Sequence, residues 1–426
     1  MKKLLTVLLS AALVLTMFAS CSKKDGNENG NDNNKNASET DLVIGGIGPL
    51  TGDYANYGNS VKNGATLAAK EINEAGGVNG YTFVVNFQDS QGDPDSAVSA
   101  YGKLMDSGMK VSLGGVLSGE TTSVVAAAKD DGILVLTPSG SAKAAIEGSD
   151  TAFRVCFSDP SQGTASAKYI NDNNLPKDVA VFYASDVDYS KGLYDTFAAE
   201  AKELGINIKE VQTFTADSST DFSTQIAAIK NSGVKLIFMP IYAAEAATFL
   251  TQAKAAKAFS DDTIYYGCDG LDGILQKIDN PENTENVMML TPYAADAPDE
   301  KTQHFVSTYK DAYNAVPDQF AADGYDAVYA IKAAIEEAGL KPGAEDDFNA
   351  KIVDAMTKIT VEGVTGTMTW GADGETNKAA LAMIIHDGVA SLYNADETEA
   401  PAADAETPAA DGAEAEADAD AETAAE

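Results

Sequence analysis

The chain has 426 residues, which exceeds one typical domain and predicts two or more hydrophobic cores. Its hydrophobic (44%), aromatic (8%) and charged (22%) fractions are those of globular proteins. The formal net charge of −36 argues against nucleic acid or anionic lipid as a partner, because both are negatively charged.

The first 20 residues have the layout of an export signal. The basic segment Met1–Lys3 precedes an apolar stretch, Leu4–Phe18, that is short for a membrane span. Phe18–Cys21 (FASC) places small residues directly before a cysteine, and it resembles the bacterial lipoprotein box, although Phe stands where that box usually has Leu. The resemblance implies that residues 1–20 are a cleaved signal peptide and that Cys21 carries a lipid. An uncleaved membrane anchor is the alternative.

Two segments have compositions that do not support a packed core. Residues 21–40 are dominated by Asn, Gly, Asp, Glu and Lys, which predicts a flexible tether. Residues 394–426 are almost only Ala, Asp, Glu, Thr and Pro without a basic residue, which predicts a disordered acidic tail. The tail supplies much of the net charge, so the folded part is less acidic than the total suggests.

Cys156 and Cys268 are the only other cysteines, and their spacing does not decide whether they pair. An exported chain of this size has a core of its own and does not need disulfides for stability. We therefore expect two free thiols.

Between residues 41 and 137, short runs of β-branched residues alternate with longer amphipathic stretches, which is typical of a parallel sheet covered by helices. The predicted strands are Asp41–Ile47, Thr82–Phe87, Val111–Val116 and Ile133–Thr137. The predicted helices are Asn59–Asn73, Asp93–Met105 and Glu120–Lys129.

The same alternation restarts after residue 177. The predicted strands are Asp178–Tyr183, Asn207–Val211, Val234–Met239 and Thr263–Tyr266, and the predicted helices are Gly192–Leu204, Asp221–Asn231 and Ala243–Ala256. Two such series predict an α/β protein with two doubly wound domains, in which ligands bind at the carboxyl ends of the strands. Those ends are the turns that begin at Gly48, Leu117, Pro138, Ala184, Pro240 and Cys268.

These turns and their surroundings carry a series of short motifs. They are Gly48–Gly52 with Tyr57-Gly58, Glu71–Gly80 (EINEAGGVNG), Pro138-Ser139, Asp159–Gly163 (DPSQG), Tyr189–Leu193 (YSKGL), Asp221–Ser223 and Gly366–Trp370 (GTMTW). Each alone is weak, but in this order they resemble the leucine/isoleucine/valine-binding protein family of bacterial ABC importers over about residues 41–393. The run Glu71–Gly80 is the most specific, because it is close to the INAKGGI-G segment of that family.

The resemblance implies a type I periplasmic binding protein fold, with two lobes that close on a solute and a hinge of three crossings. Lobe one would comprise residues 41–157 and 288–366, and lobe two residues 158–287 and 367–393. The partners implied are an ABC permease and its ATPase. The chain would be a monomer on the outer face of the bacterial cytoplasmic membrane, at the cell surface or in the periplasm, anchored through Cys21.

A pocket for an α-amino acid needs donors for the carboxylate and acceptors for the ammonium, because buried charges are costly unless they are paired. The resemblance assigns the carboxylate to Ser118, and it assigns main-chain and hydroxyl contacts to Ser139 and Ser141. A helix N-cap and an ordinary turn are the alternative interpretations of these serines. Glu120 lies in the same turn as Ser118, and we expect it to point outward along its helix.

The ammonium partner implied by the resemblance is Asp269. The family usually has Glu there, so the shorter side chain leaves the exact solute open, and a turn aspartate before glycine is the alternative. Tyr57, Tyr189 and Tyr242 correspond to aromatic positions that line the cleft, and Phe320 to one beside the ligand side chain. Ordinary half-buried aromatics are the alternative for each.

No catalytic motif is evident. Gly46–Gly48 follows a strand as in a dinucleotide-binding turn, but Thr51 occupies the third glycine position and Pro49 lacks the amide that a pyrophosphate uses. There is no phosphate-binding Gly-Lys-Ser/Thr loop and no Gly-x-Ser-x-Gly elbow. His304 and His386 are the only histidines, and neither has a cysteine or second histidine at ligand spacing.

The sequence therefore predicts a binding protein, not an enzyme, that uses no cofactor or metal. It would capture an amino acid, branched-chain or another small aliphatic one, for an ABC importer. A ligand-sensing module of the same fold and a site for small amides or polar amino acids are the alternatives.

Overall fold

The computed structural model describes residues 38–343 and 347–393. The predicted signal peptide, Cys21, the tether up to residue 37 and the acidic tail lie outside these residues. The described strands are β1 (Asp41–Gly48), β2 (Thr82–Asp89), β3 (Val111–Gly115), β4 (Leu134–Thr137), β5 (Ala152–Arg154), β6 (Asp178–Ala184), β7 (Asn207–Phe214), β8 (Leu236–Phe238), β9 (Ile264–Gly267), β10 (Val287–Thr291), β11 (Thr360–Gly363), β12 (Gly366–Thr369), β13 (Leu381–His386) and β14 (Val389–Leu392). The described α-helices are α1 (Ala55–Glu74), α2 (Pro94–Asp106), α3 (Ser118–Ala128), α4 (Asp159–Asp172), α5 (Asp188–Glu203), α6 (Ser223–Ser232), α7 (Ala243–Ala255), α8 (Glu300–Tyr313), α9 (Gln319–Glu337) and α10 (Phe348–Met356).

The first sheet has five parallel strands in the order β2-β1-β3-β4-β5. Alternate residues of β1 belong to different cores: Leu42 and Ile44 pack on the side of α1 and α9, whereas Val43 and Ile47 pack on the side of α2 and α3. Because helices cover both faces, the strands are continuous apolar runs. We call this sheet, with α1–α3, α8–α10 and the hairpin β11–β12, lobe one.

The second sheet has the order β14-β13-β10-β9-β8-β6-β7. Its strands are parallel except β13, which runs antiparallel to β10 and β14. Val179 and Val181 face one core, and Ala180 and Phe182 face the other. With α4–α7 this sheet forms lobe two, and the predicted α/β class with two doubly wound lobes is confirmed.

Three crossings connect the lobes, and two of them differ from the predicted boundaries. The predicted boundary at 287/288 cuts through β10, which pairs with β9 and β13 and is buried on both faces, so the chain leaves lobe two after Thr291. The predicted boundary at 366/367 cuts through β12, which pairs with β11, while Trp370 is buried in the lobe one core. The third crossing, from lobe one back to lobe two, therefore lies between Trp370 and Leu381.

The close packing of α1 on α9 positions one side of the cleft. A Cβ on Gly64 would lie 1.9 Å from the Ala321 carbonyl oxygen, and one on Gly324 would lie 2.4 Å from that of Val61. Only glycine allows this approach. It places the second and third turns of α1 against the first two turns of α9.

Candidate ligand-binding site

The four predicted aromatic residues form one row that spans both lobes. Phe320 and Tyr57, from lobe one, have ring centroids 4.5 Å apart. Tyr57 lies 5.7 Å from Tyr242 of lobe two, and Tyr242 stacks on Tyr189 at 4.7 Å and 7°. Helix α5 begins at Asp188, one turn before the predicted start, so Tyr189 is held on its first turn. The row provides a largely apolar wall with hydroxyl groups along it.

The Tyr57 hydroxyl connects the lobes directly. It donates to the Gly270 carbonyl oxygen at 2.7 Å and accepts from the Ala243 amide at 2.7 Å, and both partners belong to lobe two. Tyr57 is only 1% exposed, and burial raises its pKa well above the ordinary value. The hydroxyl therefore keeps its proton and acts as a fixed bridge between the lobes.

Asp269 is a buried carboxylate with unused acceptor capacity. It is 2% exposed, its Oδ1 accepts from the Tyr189 hydroxyl at 2.8 Å, and its amide donates to Gln162 Oε1 at 3.0 Å. Burial raises its pKa to about 6. A carboxylate can accept about four hydrogen bonds, so Asp269 has room for an ammonium group.

The three predicted serines lie on the adjacent turns that follow β3 and β4, and all are buried. Ser118 Oγ accepts from the Ala142 amide at 3.1 Å. Ser139 Oγ donates to the Val116 carbonyl oxygen at 2.7 Å, so this hydroxyl is already used within the protein. The Ser141 carbonyl oxygen accepts from the Asp159 amide at 2.9 Å, which joins these turns to the start of α4.

The expectation that Glu120 points outward is wrong. Its side chain is buried and turns back to accept from the Leu117 amide at 3.0 Å and from the Ser90 hydroxyl. This is the glutamate of a capping arrangement at the start of α3, which satisfies an amide that the helix leaves free. Burial raises the pKa of Glu120 to about 7.

Sequence reasoning missed Arg154, the only arginine in the chain. Its buried guanidinium donates to the carbonyl oxygens of Gly140 (3.0 Å), Ser141 (2.5 Å) and Ala142 (3.0 Å), and its Nε lies 3.2 Å from Glu375 Oε2. The planar fork of donors holds the serine turn in place. The sequence offered one signal for a special role of this residue: it is a single arginine in a chain with 28 lysines.

Two buried carboxylates were also missed. Asp159 and Asp323 are fully buried, and neither carboxylate has a hydrogen-bond partner among the described residues. Burial and the charge of Asp269 raise the pKa of Asp159 well above its ordinary value, and burial raises that of Asp323. Asp159 opens the DPSQG motif, so the sequence marked its position but gave it no role. Asp323 lies one helical turn after Phe320.

The described residues 38–343 and 347–393 contain no group of three or more His, Cys, Asp or Glu side chains arranged to hold a metal ion. In the same part of the chain, no helix is both long and apolar enough to cross a membrane. Cys156 and Cys268 are buried and unpaired. The site thus combines buried acceptors, a serine turn and an aromatic wall, which is a binding arrangement for a small polar molecule.

Known proteins share this architecture. The family model for periplasmic binding proteins matches residues 41–388. The Leu/Ile/Val-binding protein homolog 3 of Brucella melitensis is 30% identical over 346 residues, which are 81% of this chain and 91% of that protein. A leucine-, isoleucine-, valine-, threonine- and alanine-binding protein of Pseudomonas aeruginosa is 29% identical, with 78% and 87% covered.

Solved structures agree with this assignment. The branched-chain amino acid transporter substrate-binding protein LivJ of Streptococcus pneumoniae, in complex with isoleucine, has a TM-score of 0.75 and 28% identity, with 83% of this chain and 99% of that chain covered. A leucine-binding protein of Thermotoga maritima has a TM-score of 0.74 and 26% identity, with 83% and 98% covered. The chain belongs to the leucine/isoleucine/valine-binding protein family of periplasmic binding proteins, with their type I fold.

Proposed function

We propose that the chain is an extracytoplasmic solute-binding protein that captures an amino acid between its two lobes and delivers it to an ABC importer, without catalysing a reaction. The observation that carries the proposal is the buried Asp269 of lobe two, whose carboxylate accepts from Tyr189 and lies close enough to Asp159 that its charge raises the pKa of Asp159. The amide of Asp159 in turn donates to the Ser141 carbonyl oxygen in the serine turn of lobe one. Relatives named as Leu/Ile/Val-binding proteins and the isoleucine complex support an amino acid as ligand.

In this proposal Asp269 pairs with the ligand ammonium. The Ser118 and Ser141 hydroxyls and the nearby main chain of Ser139 bind the ligand carboxylate and the remaining ammonium hydrogens. The aromatic row of Phe320, Tyr57, Tyr242 and Tyr189 lines the side-chain end of the pocket. Ligand that contacts both lobes favours the closed arrangement, which docks on the permease and its ATPase.

Branched-chain or other small aliphatic amino acids are the proposed ligands, because the wall formed by the row is aromatic. The carboxylates of Asp159 and Asp323, which lack hydrogen-bond partners within the described part of the chain, favour a second candidate: a small polar amino acid or amide that would donate hydrogen bonds to them. We further propose that the chain acts as a monomer, tethered to the membrane by a lipid on Cys21.

The test is a thermal-shift screen of residues 22–426, which are the mature chain without its lipid-bearing Cys21, against all amino acids and small amides. A ligand that binds the folded state raises the unfolding temperature by mass action. A rise with leucine, isoleucine or valine supports the aliphatic ligand, and a rise only with a polar amino acid or amide supports the second candidate. No response to any amino acid would contradict the proposal. Recovery of the ligand chemically unchanged after incubation checks that no reaction occurs.

The Asp269→Ala variant checks the binding mode. We expect it to weaken amino-acid binding by about 2–5 kcal/mol, measured by calorimetry, because it removes the partner of a buried ammonium. Asp195→Ala is the matched control, since Asp195 is exposed on α5 and forms an ion pair with Lys191 on the same helix. Unchanged affinity in Asp269→Ala would remove Asp269 from the site.

A further inference from the structure

A cavity of about 540 Å³ lies between the lobes and involves none of the eight predicted ligand residues. Lobe one contributes Asn56, Ser60 and Asn63, which form a stripe on a face of α1 other than that of Tyr57. Lobe two contributes an apolar floor of Leu271, Ile274, Met289, Met383 and Ile385. The volume falls within the range of roughly 300–1,000 Å³ that is common for small-molecule sites.

Two polar side chains at this cavity have no partner. The Tyr293 hydroxyl is buried without a hydrogen bond among the described residues, and the whole residue is 3% exposed. The side-chain oxygen and nitrogen of Asn56 are also buried, and neither has a hydrogen-bond partner in residues 38–343 and 347–393. A buried polar group without a partner destabilises the protein, so a molecule that forms hydrogen bonds with these groups gains affinity.

Two carboxyl groups lie at the same cavity, one from each lobe: Asp318 is buried and Asp272 is half-buried. Asp272 accepts from the amides of Gln319 (2.7 Å) and Gly273 (2.9 Å). Asp318 accepts from the Ser60 hydroxyl at 2.6 Å, the Ala321 amide at 2.9 Å and the Gln276 side-chain amide at 3.2 Å. Their oxygens keep acceptor capacity, because each carboxylate can accept about four hydrogen bonds.

No cation among the described residues forms an ion pair with Asp272 or Asp318. Burial, followed by the charge of Asp318, raises the pKa of Asp272 to about 7, so the pair retains a proton near neutral pH. Both carboxylates also act on Tyr293, whose pKa is raised by burial and then by their charges. The polar end of the cavity is therefore rich in acceptors and short of positive charge.

We propose that this cavity is a second ligand site, which binds a small apolar primary amine. The ammonium group has three donors and no acceptor, and it matches the carboxyl pair, the Tyr293 oxygen and the Asn56 side-chain oxygen. The apolar body of the amine lies on the floor of aliphatic and methionine side chains. Neutral alcohols of the same shape lack the positive charge that the carboxyl pair requires.

The experiment is isothermal calorimetry of the mature chain with 2-phenylethylamine, and with 2-phenylethanol as a neutral molecule of the same shape. We expect one amine to bind per chain. The alcohol should bind at least roughly tenfold more weakly than the amine. Tyr293→Phe and Asn56→Leu each weaken amine binding several-fold. Ala390→Trp, at an exposed position of β14 on the cavity wall, abolishes it by filling the space. Asp269→Ala leaves it unchanged.

Three results would overturn the proposal: no binding heat at millimolar amine, equal binding of amine and alcohol, or amine binding that survives Ala390→Trp and is lost in Asp269→Ala. The last would place the amine in the amino-acid site. Circular dichroism confirms that each variant is folded. If Ala390→Trp does not fold, Val316→Trp replaces it, because Val316 is 56% exposed on the cavity lining.

Discussion

At the scale of single residues, the burial of Asp269 has a cost to the ligand-free protein. Its pKa is raised from 3.8 to about 6 in the folded state, so the folded chain binds this proton more tightly than the unfolded chain. The contribution of Asp269 to the free energy of unfolding is therefore lost as the pH rises from about 4 to about 6. Above that window the residue destabilises the folded state by an amount of order 2–3 kcal/mol.

We predict that Asp269→Asn increases the free energy of unfolding of the ligand-free protein at pH 7 by about 1–3 kcal/mol, while it weakens amino-acid binding. Urea unfolding at pH 4 and pH 7 measures the change. Asp195→Asn, an exposed control, should leave both values unaltered. If the free energy of unfolding of Asp269→Asn depends on pH as that of the parent chain does, the Asp269 carboxylate is not the source of the destabilisation.

Arg154 provides a second prediction at this scale. Arg154→Lys should lower the free energy of unfolding by about 2–4 kcal/mol, because a single ammonium cannot satisfy three carbonyl oxygens and Glu375 with the geometry of the guanidinium. We also expect weaker ligand binding, since the serine turn loses its support. Lys191→Arg is the control: it exchanges the same two residue types at an exposed position of α5, and it should leave the free energy of unfolding unchanged. A loss below about 0.5 kcal/mol would contradict the supporting role of Arg154.

At the scale of elements, the α1–α9 contact depends on two glycines. Gly64→Ala should destabilise the protein by several kcal/mol, because the new Cβ would lie 1.9 Å from a backbone oxygen that belongs to another helix. Gly102→Ala in α2 is the matched control: its Cβ meets nothing within 4 Å, and helix propensity favours alanine there by about 1 kcal/mol. Thermal unfolding of both variants measures the difference. Equal effects of the two substitutions would show that α1 and α9 can separate without cost.

The elements also show how far the sequence can be interpreted. The strands of both series are predicted to within a few residues, because buried parallel strands are apolar on both faces. The second and third crossings were misplaced because the sequences of β10 and β12 do not show which strands they pair with. Without the pairing, neither strand can be assigned to a lobe. Glu120 was misjudged because its partner Ser90 is distant in sequence. The roles of Asp159 and Asp323 depend on three-dimensional proximity, which no local pattern records.

At the scale of the whole molecule, the Tyr57 hydroxyl is one of the groups that hold the lobes together. Tyr57→Phe leaves the Ala243 amide and the Gly270 carbonyl oxygen without this partner when the lobes are closed, and we expect ligand affinity to fall by about 1–3 kcal/mol. Small-angle scattering should show a larger radius of gyration at a fixed ligand concentration.

Tyr313→Phe provides the control, because the Tyr313 hydroxyl donates to the Asn63 carbonyl oxygen within lobe one. That variant should lose some stability but keep the parent affinity and radius. Equal loss of affinity in both variants would mean that the effect of Tyr57 arises from general stability and not from lobe closure.

The packing of α1 against α9 has a consequence for how the chain is made. Lobe one contains both helices, yet most of lobe two, from α4 to β10, is synthesised between them. Strands β1–β5 therefore leave the ribosome long before the helix that covers one of their faces, and the first lobe is completed only when Trp370 has emerged. Contacts this distant in sequence make folding slow. We therefore expect lobe one to complete its fold only after most of the chain has been synthesised, and neither lobe can be isolated by a single truncation.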